Sequence, residues 1–571
     1  MAIDLYIVVS IYIPMTFLYR KRQSGRDYWY IRKTARVGGV SRTVLNVYLG
    51  TADQILARFK SQYRLPDELE LRSYSFGRFA AILAADRELG FSEIAAESTG
   101  NRSTALALLA FIAGRSEKPL SKNGMDEWYD ESFLKMIIPD MPDLSTRSYL
   151  RYMDRLTPEC VSEIKFRLAT RMVSLGFRPS LVFFDLTNFS TEQQPDSDDD
   201  RRLLPRCGHP KNGDLQAKLV GLATATTEHH LPFFHEVYPG NMADVKLFGQ
   251  VIESMIGQLL KLGSAAEELI FVFDKGVNSE ENLAELLDKK VHFVSSLKRV
   301  QVQDLLQRPL SSYKRLYETE KGEEILGFRV HRKVMGIDGV IVVSYNNAAR
   351  RRQRSDYIRA KKRFLKGCKK IARNMSRKHR GRRSTVQSIT ERIEDLLPKK
   401  WRGVFKYHVG ATLDNDFTRF TVRAWIDKKK EKSLKAGFGK TIIFTDKSEW
   451  TDERIVRTYL ARNGMEEDYH VLKDVLLFPV MPIFHRIDDR IRIHTFLCVM
   501  GLLFYRFIQL RLQERTGTRL PIERMVEELD RLRVAAIRTG PKSNVRFVLE
   551  KRDGIGSSIV KALDLQHFIP N

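Results

Sequence analysis

The sequence is short of cysteine and lacks several motifs that mark common enzyme classes. Only four cysteines occur in 571 residues, and no two of them form a C-x-x-C pair. We therefore expect neither a zinc knuckle nor a disulfide framework. So few cysteines are typical of a reducing compartment, and the expected location is the cytoplasm. No P-loop, dinucleotide-binding fingerprint or nucleophile elbow occurs, so nothing indicates the functions that these motifs mark.

Acidic residues are also in short supply relative to basic ones. The chain contains 70 Asp and Glu against 96 Lys and Arg, which gives a formal net charge of +26. An excess of this size predicts a polyanionic partner. Nucleic acid is the usual partner of such a protein, and the alternatives are an anionic membrane surface or an RNA-binding housekeeping role.

No apolar run reaches the roughly 20 residues that a membrane-spanning helix needs. The run over residues 5–19 is interrupted by a serine and a proline, and Asp4 precedes it where a signal peptide would carry basic residues. We interpret it as a strand, or as sequence upstream of a true start at Met15. The second run, Thr495 to Tyr505, predicts a buried core helix. We therefore expect no membrane partner.

The spacing of apolar residues divides the chain into segments of different structure. Short alternating pieces predict strands, and apolar residues at three- and four-residue spacing predict helices. The predicted segments are a small β-rich module over 1–65, a helical DNA-end-binding domain over 66–178, the first part of a catalytic core over 179–300, a mainly β insert over 301–440, the rest of the core over 441–515 and a helical C-terminal region over 516–571. For 66–178, a purely structural helical domain is the alternative.

The predicted fold class is α/β, with a ribonuclease-H-like core. Residues 181–300 contain three strand-like runs in succession, followed by helix, strand, helix and strand. That order is the order of a ribonuclease-H-like core, which still needs one more helix. The chain delays this helix until after the insert, near Thr451.

Two aspartates follow apolar runs in this core. Asp185 follows "LVFF" and Asp274 follows "IFVF". The carboxyl ends of strands in open α/β sheets are where ligands collect, so both side chains are candidate metal ligands. Ordinary turn or capping roles are the alternative for each aspartate taken singly.

The helix predicted after the insert carries a stripe of functional groups. Tyr459, Arg462, Glu466 and Lys473 fall within about 60° of each other at 3.6 residues per turn, whereas Glu467 lies about 100° from Glu466. The stripe therefore offers one carboxylate, two cations and one phenol on a single face. A solvated face with ordinary helix ion pairs is the alternative.

Two aspartates and one glutamate together suit phosphodiester chemistry. Two Mg²⁺ ions about 3.5–4 Å apart can activate the attacking oxygen and stabilise the leaving one. Hard cations prefer oxygen ligands and keep several waters, so three carboxylates are enough. On this hypothesis Arg462 and Lys473 hold phosphates beside the metals, and Tyr459 donates a hydrogen bond to a phosphate.

The spacing of the stripe resembles a known family. It matches the Y-(2)-R-(3)-E-(6)-K signature of insertion-sequence DDE transposases, which are cut-and-paste enzymes with a β-strand insert before the glutamate. The segments "FFDLTNF" and "FVFDKGVNSEENL" resemble the family's two aspartate strands. The resemblance covers about residues 70–515.

The resemblance implies a function and a set of site residues. The enzyme would bind the terminal inverted repeats of an insertion sequence, cleave the ends and join them to target DNA, with Mg²⁺ as cofactor and Mn²⁺ as a substitute. It would act on double-stranded DNA as a homodimer in which each subunit cuts the end bound mainly by the other. The resemblance assigns catalysis and metal binding to Asp185, Asp274 and Glu466, and phosphate binding to Tyr459, Arg462 and Lys473.

Two other functions stay open at the level of sequence, and one segment departs from the family pattern. The alternatives are a metal-dependent DNA nuclease of the same fold without joining activity and an inactive DNA-binding derivative.

Residues 350–383 carry 17 Lys or Arg and a single acid, Asp356. We interpret this segment as an added DNA grip, with solvated surface as the alternative.

Overall fold

The computed structural model describes eleven stretches of the chain, to which all structural statements refer. The segment over residues 5–14 and the end of the basic segment, residues 376–383, lie outside them. The described stretches are 15–37, 40–63, 70–118, 121–191, 203–208, 218–320, 322–375, 385–414, 417–539, 544–550 and 553–570.

The N-terminal segment is a three-stranded antiparallel sheet followed by one helix. Strand β2 lies in the middle and pairs with both of its neighbours. The elements are β1 (Met15–Gln23), β2 (Arg26–Val37), β3 (Val40–Gly50) and α1 (Ala52–Tyr63).

The next segment is helical and deeply buried. Small alanines let α2 and α4 pack closely, and 11 of the 13 residues of α2 are buried. These helices share one hydrophobic core with the central sheet. The DNA-end-binding role of residues 66–178 stays a prediction. The elements are β4 (Glu70–Ser75), α2 (Gly77–Leu89), α3 (Phe91–Thr99), α4 (Arg102–Glu117), α5 (Met125–Glu131), α6 (Leu134–Ile137), α7 (Thr146–Asp154) and α8 (Pro158–Ser174).

A central sheet follows, in which parallel and antiparallel pairs are mixed. Strand β5 pairs in parallel with β9, β9 pairs in parallel with β10, and β7 pairs antiparallel with both β5 and β8. This part of the sheet therefore has the order β8–β7–β5–β9–β10. The elements are β5 (Leu181–Ser190), β6 (Arg206–Cys207), β7 (Lys218–Thr226), β8 (Pro232–Pro239), α9 (Asp244–Lys261), β9 (Ile270–Phe273), α10 (Glu280–Asp288) and β10 (His292–Ser296).

The insert adds strands to this sheet and also forms a small helical unit. Strand β16 pairs antiparallel with β10 and β13, so β11, β12 and β13 extend the central sheet beyond β10. The elements are α11 (Gln303–Leu306), β11 (Lys314–Glu318), β12 (Glu324–Val334), β13 (Ile337–Asn346), α12 (Asn347–Met375), α13 (Val386–Glu394), β14 (Phe405–Asp414), β15 (Phe417–Ile426), α14 (Lys428–Ala436) and β16 (Lys440–Thr445).

The prediction of a mainly β insert needs correction at α12, a helix of 29 residues. The buried residues Tyr357, Phe364, Cys368 and Ile371 recur at helical spacing along it. They form a second, separate core with α13 and the β14–β15 hairpin. Many basic residues lie between these apolar positions, so the helical spacing of the apolar residues is hard to recognise in the sequence.

The C-terminal part returns to the first helices. Helix α17 is the one helix of the described residues that is long and apolar enough to cross a membrane, but 94% of its most apolar window is buried inside the protein. It is the core helix that the run Thr495 to Tyr505 predicts. Strand β17 pairs with β4, which joins the last segment to the first helical one. The elements are α15 (Asp452–Ala461), α16 (Gly464–Val471), α17 (Asp488–Thr516), α18 (Ile522–Asp530), β17 (Arg533–Arg538), β18 (Arg546–Leu549) and α19 (Ile555–Ala562).

Candidate active site

Asp185 lies on β5, and Asp274 directly follows β9, which pairs in parallel with β5. Leu181 pairs with Ile270 and Phe183 with Val272, and the same offset leads to Asp185 and Asp274. Neighbouring strands are about 4.8 Å apart, and equal register places both side chains on one face of the sheet. Asp274 follows the end of β9, as expected, whereas β5 continues past Asp185 to Ser190 because it keeps its pairing with β7.

The carboxylate of Asp274 is held in its charged form. Ser296 Oγ donates to its Oδ1 at 2.6 Å, and the hydroxyl of Tyr459 donates to the same oxygen at 3.2 Å. Burial alone would raise the pKa of Asp274, but the Ser296 hydrogen bond and the charges of Lys275 and Arg462 outweigh it and lower the pKa. Asp274 is therefore anionic at neutral pH.

Asp185 is paired with the cation Arg462. Arg462 Nη1 lies 3.3 Å from Asp185 Oδ2 in an ion pair whose side chains are 10% and 22% exposed. Burial opposes the charge of Arg462, but Tyr459, Asp185 and Asp274 outweigh burial and raise its pKa. Arg462 therefore stays protonated and couples electrostatically to both aspartates.

The residues of the predicted stripe lie on two short helices rather than on one. Helix α15 ends at Ala461 and α16 begins at Gly464, with Arg462 and Asn463 in a turn between them. Hydrogen bonds from Arg462 N to Tyr459 O and from Met465 N to Arg462 O span three residues, so the turn is tighter than an α-helix. Both turn residues keep right-handed backbone angles, and the path of the chain continues.

Three of the four stripe residues reach the aspartate strands. Tyr459 contacts Asp274, and Arg462 contacts Asp185. Lys473 lies beyond the end of α16, and its Nζ donates to Thr187 Oγ1 at 2.6 Å, two residues after Asp185 on β5. The angles predicted for the stripe apply to a single regular helix, which the structure does not have. The contacts nevertheless place the phenol of Tyr459 and the cations of Arg462 and Lys473 beside the two carboxylates.

Glu466 is the exception among the predicted site residues. Its side chain is exposed in the first turn of α16. Within the described stretches, no group of three or more His, Cys, Asp or Glu side chains is arranged to hold a metal ion. The structure therefore brings Asp185 and Asp274 together but does not complete a three-carboxylate site with Glu466.

The two aspartates nevertheless fit a hard divalent cation. Both supply carboxylate oxygens at neighbouring parallel strands, and the hydroxyl of Ser296 helps keep Asp274 ionised. Arg462 occupies one oxygen of Asp185, so a cation bound there would have to displace or share this contact.

A glycine allows α16 to approach the sheet. A Cβ atom on Gly464 would lie 2.2 Å from the ring of His230. That ring cannot easily move, because it stacks on Phe183 of β5 at a centroid distance of 5.2 Å and is buried. Gly464 therefore sets the distance between α16, which carries Glu466 and is called the glutamate helix below, and the strand that carries Asp185.

A buried ion pair ties α16 to α17. Arg506 Nε donates to Asp468 Oδ1 at 2.6 Å, and both side chains are almost fully buried. Arg506 also donates to the carbonyl oxygen of Gly464 at 3.2 Å. Glu467 faces the same guanidinium at 3.4 Å, on the side of α16 that packs toward α17.

Sequence reasoning missed three residues that shape this site: Ser296, His230 and Arg506. Ser296 ends the strand-like run "HFVSS", where a hydroxyl beside the next strand end was a usable signal. Arg506 closes a long apolar run, and a lone charge there indicates a buried partner. His230 carries no local signal, because its contacts with Phe183 and α16 depend entirely on tertiary packing.

Comparison with protein families shows to which family the chain belongs. The sequence model of the transposase DDE domain matches residues 176–500, which is more than half of the chain. The chain belongs to the DDE transposase family. A comparison with curated proteins found no match. The DDE domain begins after α8 and ends within α17, so both aspartates, the insert and α16 all lie inside it. Proteins of this family act on DNA and depend in general on divalent metal ions.

Proposed function

We propose that this protein cleaves the ends of an insertion sequence and joins them to target DNA. One observation carries the proposal: Asp185 lies on β5, Asp274 directly follows the parallel neighbour β9, and Arg462 and Tyr459 contact these two aspartates. Two carboxylates with a phenol and a guanidinium form an arrangement that suits phosphodiester chemistry.

The proposed cofactor is Mg²⁺, with Mn²⁺ as a substitute, held by Asp185, Asp274 and Glu466. When bound, such ions activate the attacking oxygen and stabilise the leaving one. Ser296 and Lys275 keep Asp274 ionised so that it can serve as a ligand. Glu466 lies one helical turn beyond Arg462 and is the carboxylate of α16 that we assign to the third position.

The other stripe residues position phosphates in this proposal. The planar guanidinium of Arg462 can bind a phosphate through two parallel hydrogen bonds. Lys473 acts as a point charge, and Thr187 fixes the position of its ammonium group beside Asp185. Tyr459 has its hydroxyl at Asp274 and can turn it toward a phosphate.

The fold assigned to this chemistry is a ribonuclease-H-like core with an insert. The order β8–β7–β5–β9–β10, with β7 antiparallel and β9 and β10 parallel to β5, supports the assignment. Residues 301–440 separate β10 from the glutamate helix, as in the insertion-sequence transposases that the sequence resembles.

The proposed partners are double-stranded DNA and a second copy of the chain. Terminal inverted repeats and target DNA are the substrates, and a homodimer holds the paired ends. The net charge of +26 supports a polyanionic substrate, and the protein would work in the cytoplasm in association with DNA.

The test is a cleavage and joining reaction with end-labelled duplexes copied from the DNA that flanks the gene. In the presence of Mg²⁺, we expect nicking at a defined position and products joined to a target plasmid. An Asp185→Asn variant should bind the same duplexes but cut neither strand. Cutting without joining would identify a nuclease, and binding without cutting would identify an inactive derivative.

A further inference from the structure

The N-terminal sheet presents one face of unusual composition. We call it the tyrosine face and define it by Tyr19, Tyr28, Tyr30, Tyr48, Arg32 and Asn46. Residues directly opposite each other in antiparallel strands point to the same side of a sheet. Tyr19 pairs with Tyr30, and Tyr30 pairs with Tyr48, so three tyrosines form a row across all three strands.

A second row beside the tyrosines carries Arg32 and Asn46. Arg32 pairs with Asn46 across β2 and β3, and its Nε donates to Asn46 Oδ1 at 3.4 Å. Its guanidinium carbon lies 3.9 Å from the centre of the Tyr19 ring. Arg32 is therefore held in place by a stacked ring and by an amide, which reduces the entropy that it would lose on binding a ligand.

The charge of the sheet indicates what this face binds. Residues 15–63 contain ten Lys or Arg and two acids. Between residues 15 and 50 the only acid is Asp27, and it lies on the opposite face, where it pairs with Arg20 at 3.4 Å. The tyrosine face thus combines cations, an amide and aromatic rings with no carboxylate, a composition that complements nucleic acid.

The width of the tyrosine face matches the width of the major groove of duplex DNA. Three strands about 4.8 Å apart give a face about 10 Å across, and the major groove of B-DNA is about 12 Å wide. Arginine and asparagine are the side chains that read guanine and adenine edges there through paired hydrogen bonds. Asn46 is exposed and Tyr48 is 47% exposed, so this face is accessible.

We propose that the tyrosine face binds double-stranded DNA in the major groove, with Arg32 and Asn46 at base edges and the tyrosines against the backbone. The proposal rests on the proposed transposase function, which supplies the DNA. It assigns recognition of the insertion-sequence ends to residues 15–50 rather than to the helices over 66–178, where α2 and α4 are buried.

The test compares the two faces of the sheet in the full-length protein. Affinity is measured at one fixed salt concentration for a duplex copied from the DNA that flanks the gene and for a shuffled duplex of equal composition. Arg32→Ala and Asn46→Ala should each reduce the preference for the flanking duplex about tenfold or more. Lys33→Ala, on the opposite face, is the matched control and should leave the preference unchanged.

Separate outcomes overturn this inference and the proposed function. If the wild type nicks the flanking duplex but the Arg32 and Asn46 variants keep the full preference, only the tyrosine face is overturned. If these variants lose self-association in sedimentation and keep the DNA preference, the face binds a second copy and the proposal is wrong. A wild type that binds neither duplex would overturn the proposed function as well. Asn46 is exposed, and hydrogen exchange of the backbone amides of β1, β2 and β3 reports on the folding of this sheet itself. Unchanged amide protection in Asn46→Ala therefore separates lost recognition from lost folding.

Discussion

At the scale of single residues, the two aspartates differ in what surrounds them. Asp274 accepts hydrogen bonds from the hydroxyl groups of Ser296 and Tyr459 and is paired with Lys275 at 3.5 Å, whereas Asp185 is paired with the more deeply buried cation Arg462. The guanidinium of Arg462 offsets the charge of Asp185 and also couples to Asp274, which reduces the repulsion between the two carboxylates.

The two adjacent glutamates of α16 should behave differently. Glu466→Gln removes the charge that we assign to metal binding, so metal-dependent nicking should fall on the order of 10³-fold or more while end binding persists. Glu467 faces Arg506 and is largely exposed, so Glu467→Gln should cut within a few-fold of the parent. Nicking of labelled ends, with binding checked by gel shift, decides between them. An inactive Glu467→Gln beside an active Glu466→Gln would reject the assignment of Glu466.

Lys473 should matter for joining more than for folding. Lys473→Ala should lower strand transfer about 10²-fold, because the phosphate loses its fixed partner beside Asp185. Thr187→Val is the matched variant, since it keeps the cation but removes its anchor at 2.6 Å, and it should have a smaller effect. Joining is measured with pre-cleaved ends and a target plasmid. Normal joining by a well-folded Lys473→Ala protein would exclude a role in phosphate positioning.

At the scale of elements, α16 is positioned from two sides. Gly464 permits close contact with His230 on the sheet side, and Arg506 holds Asp468 on the side of α17. A buried ion pair adds little net stability, but losing one partner leaves an uncompensated charge that costs about 3–5 kcal/mol. The contacts therefore specify where the glutamate helix sits more than they stabilise the protein.

Gly464→Ala should push α16 away from the sheet. The added methyl group would meet the His230 ring, and such overpacking costs about 1–3 kcal/mol of unfolding free energy. Nicking should fall more than stability suggests, because Arg462 and Glu466 flank the displaced residue. Gly257→Ala in α9 is the control, since its Cβ would meet open space and the change should stabilise the protein by up to about 1 kcal/mol. Equal activity of both variants would show that the position of α16 does not limit the reaction.

Helix α12 should contribute phosphate contacts that do not depend on sequence. Its apolar stripe faces the second core, and Arg351, Arg352 and Arg354 are exposed. Replacing these three by Ala should flatten the dependence of log affinity on log salt by about 0.9 for each lost contact. Ser355→Ala on the same turn keeps the charge and should leave the slope unchanged. An unchanged slope in the triple variant would assign α12 to solvated surface or to protein contacts.

At the scale of the whole molecule, the helices before the DDE domain and the segment after it form one unit with it. Val534, Ile559 and Leu565 belong to the same hydrophobic core as Phe79 and the central sheet. The pairing of β17 with β4 closes this unit. Among the described residues, neither hydrophobic core includes a side chain of the N-terminal sheet.

Truncations at the two ends should therefore have opposite effects. Removing residues 1–63 should leave the melting temperature of the remaining chain within a few degrees of the parent. Removing residues 533–571 should abolish cooperative unfolding, because it deletes β17 and uncovers apolar core side chains. Calorimetry of both truncated proteins measures this. A large loss of stability in the first truncation would show that the N-terminal sheet packs on the rest of the protein.

The sequence by itself determined the local parts of the site. The apolar runs before Asp185 and Asp274 placed both aspartates at the sheet, and the three- to seven-residue spacings placed Tyr459, Arg462 and Glu466 on consecutive turns. Such features depend on side-chain periodicity along a few residues, which a sequence displays directly. The charge excess likewise indicated a nucleic-acid substrate without any knowledge of the fold.

Only the tertiary structure decided which residues meet. The approach of Asp185 and Asp274 depends on the pairing of strands some 90 residues apart in the sequence, and the contacts of Ser296, His230 and Arg506 depend on packing between distant elements. The tightened turn at Arg462 and the shared core of the first and last helices have the same origin. Burial and hydrogen bonding between residues distant in the sequence favour these arrangements over many others that are locally acceptable. Local sequence patterns do not show which distant residues come into contact.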